Sequence, residues 1–281
     1  MLHWQTSRRK ISLDRPLVMG ILNVTPDSFS DGGRFLAAGD ALREAEDMIA
    51  DGADIIDIGG ESTRPGSEQV SASEEIRRVV PVIEAIIKRF DMPISVDTTK
   101  SDVALAAINA GAEIINDISG LRFDEKIAEI AAATLAGLVL MHSRGEFAAM
   151  HSLPPVDDTM ADVAHGLRRS IEVAVAHGVG GQQIVLDPGI GFGKTREQNL
   201  ELLAKLDKLV SEFEGYPVLI GASRKSFIGK LLGGAPVTER LSGSIAAAVM
   251  AVQKGAKIVR VHDVKETVAA LTTAAAVEAA K

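Results

Sequence analysis

Apolar residues along the chain fall into two alternating textures. Short runs rich in β-branched residues, at 17–22, 55–58, 94–96, 113–115, 137–141, 184–186, 218–220 and 258–261, are separated by longer, Ala-rich stretches of helical period. These helical stretches include 40–50, 73–90, 103–110, 158–177, 196–213, 240–254 and 264–280. Ser73, with Ile76 opening the apolar face, Ser101 and Thr195 stand at helix starts, and Gln198 three residues after Thr195 forms a capping box with it. Asp51-Gly52, Gly111, Gly178 and Gly255 stand at helix ends. Continuous apolar strands joined by helices imply parallel pairing with both faces covered. Eight such units in 281 residues predict an α/β fold, a (β/α)8 TIM barrel, with 1–281 as a single domain. A doubly wound open sheet is the alternative. It needs no eighth strand and usually carries a glycine fingerprint after its first, where this chain has Asn23-Val24-Thr25-Pro26-Asp27. The first sixteen residues alternate loosely and predict a short N-terminal hairpin or cap under the barrel.

Composition narrows the chemistry. There is no cysteine, which excludes disulfides, thiolate metal sites and cysteine nucleophiles. With 30 basic against 38 acidic residues the net charge is −8, which disfavours nucleic acid as a partner. No apolar run approaches the roughly 18 residues of a membrane span. The basic cluster Arg8, Arg9, Lys10 has no apolar stretch behind it until Leu17, unlike a secretory signal, so a cytoplasmic protein with no membrane partner is expected.

The informative positions are the C-terminal ends of the predicted strands: Asn23, Asp57, Asp97, Asn116-Asp117, His142, Asp187, Ser223-Arg224-Lys225, and Arg260 with His262. In a barrel these ends converge on one mouth, where active sites are built. Asp and Asn at single strand ends often only cap the next helix. Eight polar ends with three carboxylates and two cationic clusters go beyond capping. Arg224 and Lys225 beside free backbone N–H groups suit a carboxylate or phosphate, and Arg260 with His262 adds a second such site; pairing of these arginines with acids is the alternative. Asp187 and Asp97, with Asn116, suit a ring edge bearing adjacent N–H donors, such as a purine, a pterin or a guanidinium compound. The stretch from Gly189 to Thr195 suggests a nucleotide loop, but the first glycine such a loop needs falls on Pro188. His142, His151, His165 and His177 have no metal-ligand spacing, which argues against zinc.

Several segments resemble the signatures of the dihydropteroate synthase family. They are residues 20–33, from Gly20-Ile21-Leu22-Asn23 to Gly33; Asp57-Ile58-Gly59-Gly60-Glu61-Ser62-Thr63-Arg64-Pro65-Gly66; Val96-Asp97-Thr98; Asn116-Asp117-Ile118; residues 186–194; Gly221-Ala222-Ser223-Arg224-Lys225-Ser226-Phe227; and Arg260-Val261-His262-Asp263-Val264. The resemblance runs from about residue 17 to the C-terminus. It implies a (β/α)8 barrel that joins a dihydropterin methyl diphosphate to 4-aminobenzoate, with Mg²⁺ as cofactor and a homodimer as the assembly. It further implies Asn23 at the Mg²⁺. Asp97, Asn116, Asp187 and Lys225 would hold the pterin, with Thr63 and Met141 also contacting substrate. Arg64, Arg260 and His262 would serve the diphosphate. Ser226, Pro65, Phe192 and, in the first loop, Phe29 would border the aminobenzoate, where sulfonamides compete. Asp97, Lys225, Arg260 and His262 would carry the catalysis.

A folate-to-corrinoid methyltransferase of the same barrel superfamily would share the strand-end Asp and Asn residues but lack the Thr63-Arg64-Pro65 and Ser223-Arg224-Lys225 motifs. A non-catalytic pterin-binding protein would be expected to lose an anion ligand. One stretch departs from the family pattern. Where Met-His-Met-Gln-Gly is usual, this chain reads Met141-His142-Ser143-Arg144-Gly145, and Arg144 is expected either to face solvent or to alter the outer pterin pocket.

Overall fold

The computed structural model describes residues 2–25, 34–62, 67, 69–145 and 153–280, with side chains of the first helix from 39 onward. Two short strands, β1 (His3–Gln5) and β2 (Lys10–Ser12), form an antiparallel hairpin. Eight parallel strands follow: β3 (Leu17–Asn23), β4 (Ile55–Gly59), β5 (Ile94–Asp97), β6 (Ile114–Asp117), β7 (Gly137–Met141), β8 (Ile184–Asp187), β9 (Leu219–Ile220) and β10 (Ile258–Val261). They pair in the order β8-β7-β6-β5-β4-β3-β10-β9. The ring is closed by a bridge between Leu186 and Val218, with Leu186 N donating to Pro217 O at 2.9 Å. The helices are α1 (Arg34–Ala50), α2 (Ala72–Ile87), α3 (Ser101–Ala110), α4 (Lys126–Thr134), α5 (Thr159–Ala176), α6 (Arg196–Ala204), α7 (Leu206–Glu212), α8 (Ser226–Leu231), α9 (Leu241–Gln253) and α10 (Val264–Glu278).

Side chains on a strand alternate between faces, so each barrel strand presents every second residue to the interior. At the N-terminal end these interior residues are apolar. Leu17, Met19, Ile55, Ile114, Val139, Val185, Leu219 and Ile258 cluster with Trp4 and Leu13 of the N-terminal segment. Two residues further along the same faces stand Asp57, Asn116, Met141, Asp187 and Arg260. The barrel therefore has an apolar floor and a polar mouth, separated by one period of the pleat. The other face of the strands packs with the helices in a larger core that includes Ile56, Ile58, Ile115, Leu138, Leu140, Val79, Ile83 and Leu167.

The hairpin seals the floor, as the sequence predicts. Trp4 is fully buried and its Nε1 donates to Gln183 O at 2.7 Å. The ring lies so close to β7 that a Cβ on Gly137 would stand 3.0 Å from Trp4 Cε2 and Nε1. At the foot of β6 the buried Glu113 accepts from Thr6 Oγ1 at 2.7 Å and pairs with Arg8 and Arg9 at 3.1 and 2.8 Å.

Helix starts agree with the sequence only where a side chain makes the cap. Thr195 and Gln198 form the reciprocal capping box on α6. On α2, however, the cap is Ser71, whose Oγ accepts Glu74 N, rather than Ser73. Lys100 occupies the cap position of α3, where its side chain makes no capping bond, and Ser101 is the first helical residue. The stretch 196–213 divides at Lys205 into α6 and α7. Gly52, Gly111, Gly178 and Gly255 all adopt positive φ, between 90 and 112°, at the helix ends where they were expected.

Candidate active site

Arg260 lies across the barrel mouth. Its Nε donates to Asp57 Oδ2 at 2.5 Å and its Nη2 to Asp97 Oδ2 at 2.7 Å. Asn116 Nδ2 donates to the same Asp57 oxygen at 3.0 Å, while Asp57 Oδ1 is buried with no hydrogen-bond partner among the described residues. One guanidinium thus holds two carboxylates that would otherwise repel. Burial works against the charge of Arg260, yet Asp57 and Asp97 raise its pKa above the ordinary arginine value. Burial raises the pKa of Asp97; Arg260 opposes the shift, and the charges of Asp57, Glu75 and Asp117 add to it. On β8, Asp187 Oδ1 accepts Gly189 N at 2.7 Å. Burial raises its pKa too, with Lys225 as the main opposing charge.

Two glycines keep this mouth open. A Cβ on Gly59 would stand 3.7 Å from Asp97 Cβ and 3.8 Å from Asn23 Oδ1. One on Gly221 would stand 3.8 Å from Arg260 Cβ and 4.0 Å from Asp187 Oδ2. Any side chain longer than alanine at either place would grow into the space between the charged groups.

Arg224 and Lys225 do not act as a pair. Arg224 has φ +57°, the left-handed region, which is unusual for a residue with a Cβ. Ser244 Oγ accepts its N–H at 2.9 Å, Arg240 Nη1 donates to its carbonyl at 3.0 Å, and its guanidinium is bonded through Nε and Nη2 to Asp263 at 3.0 and 2.5 Å. The left-handed turn sends consecutive side chains in different directions, so Arg224 answers Asp263 and the expected double-cation anion site does not form. Lys225 goes the other way. Its Nζ donates to Ile190 O and stands 4.3 Å from the centre of the Phe192 ring. Burial lowers its pKa to about 8, with Asp187 resisting the shift.

Of the other expected residues, His262 donates its N–H to Ser223 Oγ at 3.2 Å and places Nδ1 3.1 Å from the same oxygen. Met141 is buried on the interior face of β7, Asn23 ends β3, and Ser226 is exposed in the first turn of α8. Phe29, Thr63, Arg64 and Pro65 lie outside the described residues. Asp117 organises the turn after β6, where its carboxylate accepts Ser119 N, Ser119 Oγ and Leu121 N, each at 2.7–2.8 Å. Arg144 stands with Nε 3.6 Å from Asp162 and donates to Pro154 O at 2.9 Å, so it is neither free in solvent nor paired with the residues of the mouth. The group that sequence reasoning left without a role is Asp57, the centre of the Arg260 network. Its register was the available signal, since Ile55 belongs to the floor and Asp57 follows on the same face.

The pattern of the pterin binding enzyme family matches residues 19–262, most of the chain. A dihydropteroate synthase of Bacillus subtilis is 51% identical over 253 residues, covering 90% of this chain and 85% of that one. The chain belongs to the dihydropteroate synthase family. The crystal structure of a Yersinia pestis dihydropteroate synthase with a sulfonamide drug superposes with a TM-score of 0.92 at 47% identity, over 99% of this chain and 100% of that one. A Xanthomonas albilineans dihydropteroate synthase with 4-aminobenzoic acid also gives 0.92, at 44% identity over 99% of each chain. As in any barrel of this kind, the dihydropteroate synthase motifs fall at strand ends. Asp57 and Asp97 from two of these motifs are bonded to Arg260 of a third, and Asn116 of a fourth is bonded to Asp57.

Proposed function

We propose that the chain is a transferase that joins (7,8-dihydropterin-6-yl)methyl diphosphate to 4-aminobenzoate, giving 7,8-dihydropteroate and pyrophosphate for folate biosynthesis. The observation that carries this reading is the Asp57–Arg260–Asp97 bridge beside Asn116, Asp187 and Lys225. It sets acceptors for ring N–H groups next to a cation for a departing anion. Family membership and the two ligand-bound relatives support it.

In this reading Asp187 and Asp97 accept from the pterin ring edge, Asn116 both donates and accepts, and Lys225 packs against Phe192 at the pocket rim. The methylene C–O bond breaks with its electron pair going to the diphosphate oxygen. Positive charge grows on the pterin, where the Asp97 carboxylate stabilises it, and the anion is received by Arg260 and His262. The neutral arylamine nitrogen then bonds to the methylene carbon and releases its proton to solvent. No dedicated base is needed, so positioning and electrostatics supply the rate.

Mg²⁺ fits the donors present. Asn23 offers a hard amide oxygen beside the space left by Gly59, and among the described residues there is no cluster of three or more His, Cys, Asp or Glu side chains to cage an ion. That suits a cation held mainly by substrate phosphate and water. When bound, it would neutralise charge on the diphosphate oxygens. Asn23 would be its protein ligand.

Pyrophosphate release by purified protein, with each of Mg²⁺, the dihydropterin diphosphate and 4-aminobenzoate omitted in turn, tests the reading. Release that requires all three, and is lost in Asp97→Ala and Arg260→Ala, is the expected result. No release from a protein that still binds the pterin by calorimetry would overturn it and leave a binding protein or a methyltransferase. A homodimer is part of the same proposal. Leu231 at the end of α8, Leu232 just after it, Val237 in the turn before α9 and Met250 of α9 are each 47–50% exposed, and sedimentation equilibrium should return twice 29.6 kDa. A cytoplasmic location belongs to it as well: no described helix is long and apolar enough to cross a membrane, and cell fractionation tests the location directly.

A further inference from the structure

The lysine of the Gly189–Thr195 stretch, the one that suggests a nucleotide loop, is turned into the protein. Lys194 Nζ donates to Gly189 O at 2.9 Å and Phe192 O at 3.2 Å, and stands 3.1 Å from His142 Nδ1. A longer approach of 3.5 Å reaches His142 O. An ammonium has three N–H donors, and here three acceptors meet them. Two of those acceptors belong to the loop leaving β8, so the side chain crosses its own loop and ties Gly189 to Phe192.

The same loop carries two groups that face the mouth. Gly189 N donates to Asp187 Oδ1, and Phe192 presents its ring to Lys225 Nζ at 4.3 Å. There is little slack on either side. Gly189 and Gly191 have φ of +71° and +84°. A Cβ on Gly189 would stand 1.9 Å from His142 O, and one on Gly191 2.6 Å from Lys225 Cδ. Burial lowers the pKa of Lys194 to about 7, with Asp187 and Asp162 resisting and Lys225 and Arg144 adding to the shift. Holding an ammonium there is costly, which makes a hydrophobic residue the cheaper loop filler if packing were its only role.

We propose that Lys194 is a positioning residue of the active site, which sets the separation of Asp187 and Phe192, and through Phe192 the placement of Lys225, by tying the loop between them to His142. It touches no reacting atom. The proposal rests on the synthase reading, and its effect is expected on substrate binding rather than on the fraction of folded protein.

The absence of native cysteine permits a clean test. Lys194→Cys, alkylated in denaturant with 2-bromoethylamine and refolded, regenerates an ammonium one sulfur-for-carbon exchange away from lysine. Alkylation with iodoacetamide gives a neutral control, and wild-type protein is taken through the same steps. The readout is KM against kcat for both substrates in the pyrophosphate-release assay, with active sites titrated. Lys194→Met and the carbamidomethyl form are expected to raise KM for each substrate about tenfold with kcat within about threefold of wild type; the aminoethyl form is expected to return KM to within about twofold. Wild-type KM in the folded neutral forms would overturn the proposal, as would an aminoethyl form that stays impaired while refolded wild type recovers. A wild-type protein without release would instead sink the synthase reading itself.

Discussion

Asp57→Asn removes one negative charge from the mouth while leaving its shape. Oδ2 accepts from both Arg260 Nε and Asn116 Nδ2, whereas Oδ1 has no partner among the described residues. An asparagine can place its carbonyl oxygen at the first position and its amide nitrogen at the second, so both hydrogen bonds survive. Two unit charges on the order of 6 Å apart, at an effective dielectric of about 20, repel by roughly 2.8 kcal/mol, or about two pKa units, which sets the scale for two carboxylates bonded to one guanidinium. Burial contributes to the raised pKa of Asp97 independently, so only the part due to Asp57 is relieved. The sign follows: Asp97 works as a carboxylate, kcat/KM falls as pH drops through its pKa, and with Asp57 neutral that pKa is lower. The acid limb of the pH profile should move down by roughly one to two units. Stability should change little. A neutral acceptor on Arg260 costs about 1 kcal/mol relative to a charged one, and relief of the buried carboxylate opposes that loss. The assay is pyrophosphate release against pH at low pterin diphosphate, with urea unfolding at pH 7 as control. An acid limb that stays put or moves up in a folded variant would refute the electrostatic account. A loss of several kcal/mol would refute the claim that the geometry survives.

Two lysines titrate on the alkaline side, Lys194 with its pKa lowered to about 7 and Lys225 with its pKa lowered to about 8; the charge of each is present below its pKa and lost above it. In a Lys194→Met background only the Lys225 step is left, so Lys225→Arg there should keep the cation and push the alkaline limb of kcat/KM upward, and an unmoved limb would remove Lys225 from the titration. At the floor, Gly137→Ala places a Cβ 3.0 Å from a Trp4 ring that is fixed by its bond to Gln183. It should cost about 1–3 kcal/mol in urea unfolding with unchanged kcat per folded molecule, and an unaltered midpoint would count against tight packing there. Sulfamethoxazole should raise the apparent KM for 4-aminobenzoate without changing kcat; inhibition indifferent to aminobenzoate concentration would place its site elsewhere.

Most of the barrel was legible because two periodicities coincide in it. Buried parallel strands read as continuous apolar runs, and the longer helices between them carry their own 3.6-residue period, so the order and number of the barrel strands follow from pattern alone. The hairpin was legible from the same alternation. α4 was not, because it is only nine residues long and follows a turn built on Gly120 and Leu121 with φ of +58° and +65°. A leucine in the left-handed region gives no compositional signal. The shift of the α2 cap from Ser73 to Ser71 has a similar origin: Ser71 and Ser73 are equivalent as letters, and only backbone direction decides which hydroxyl meets Glu74 N.

In the mouth, the boundary between what was legible and what was not follows the difference between position and direction. A strand fixes both, since the pleat sends every second side chain inward; Asp97, Asn116, Asp187 and Arg260 were placed together on that ground and the structure brings them to one opening. A loop fixes neither. Arg224 and Lys225 are neighbours in sequence, yet one left-handed residue separates them into a bond with Asp263 outside and a contact with Phe192 inside. Lys194 sits in a glycine-rich stretch whose glycines suggested a backbone open to phosphate. The reason for those glycines is instead the carbonyl of His142 on one side and the stem of Lys225 on the other. Opposite charges in this site are thus matched across strands by the barrel and within loops by side-chain reach. Only the first of these leaves a period in the sequence.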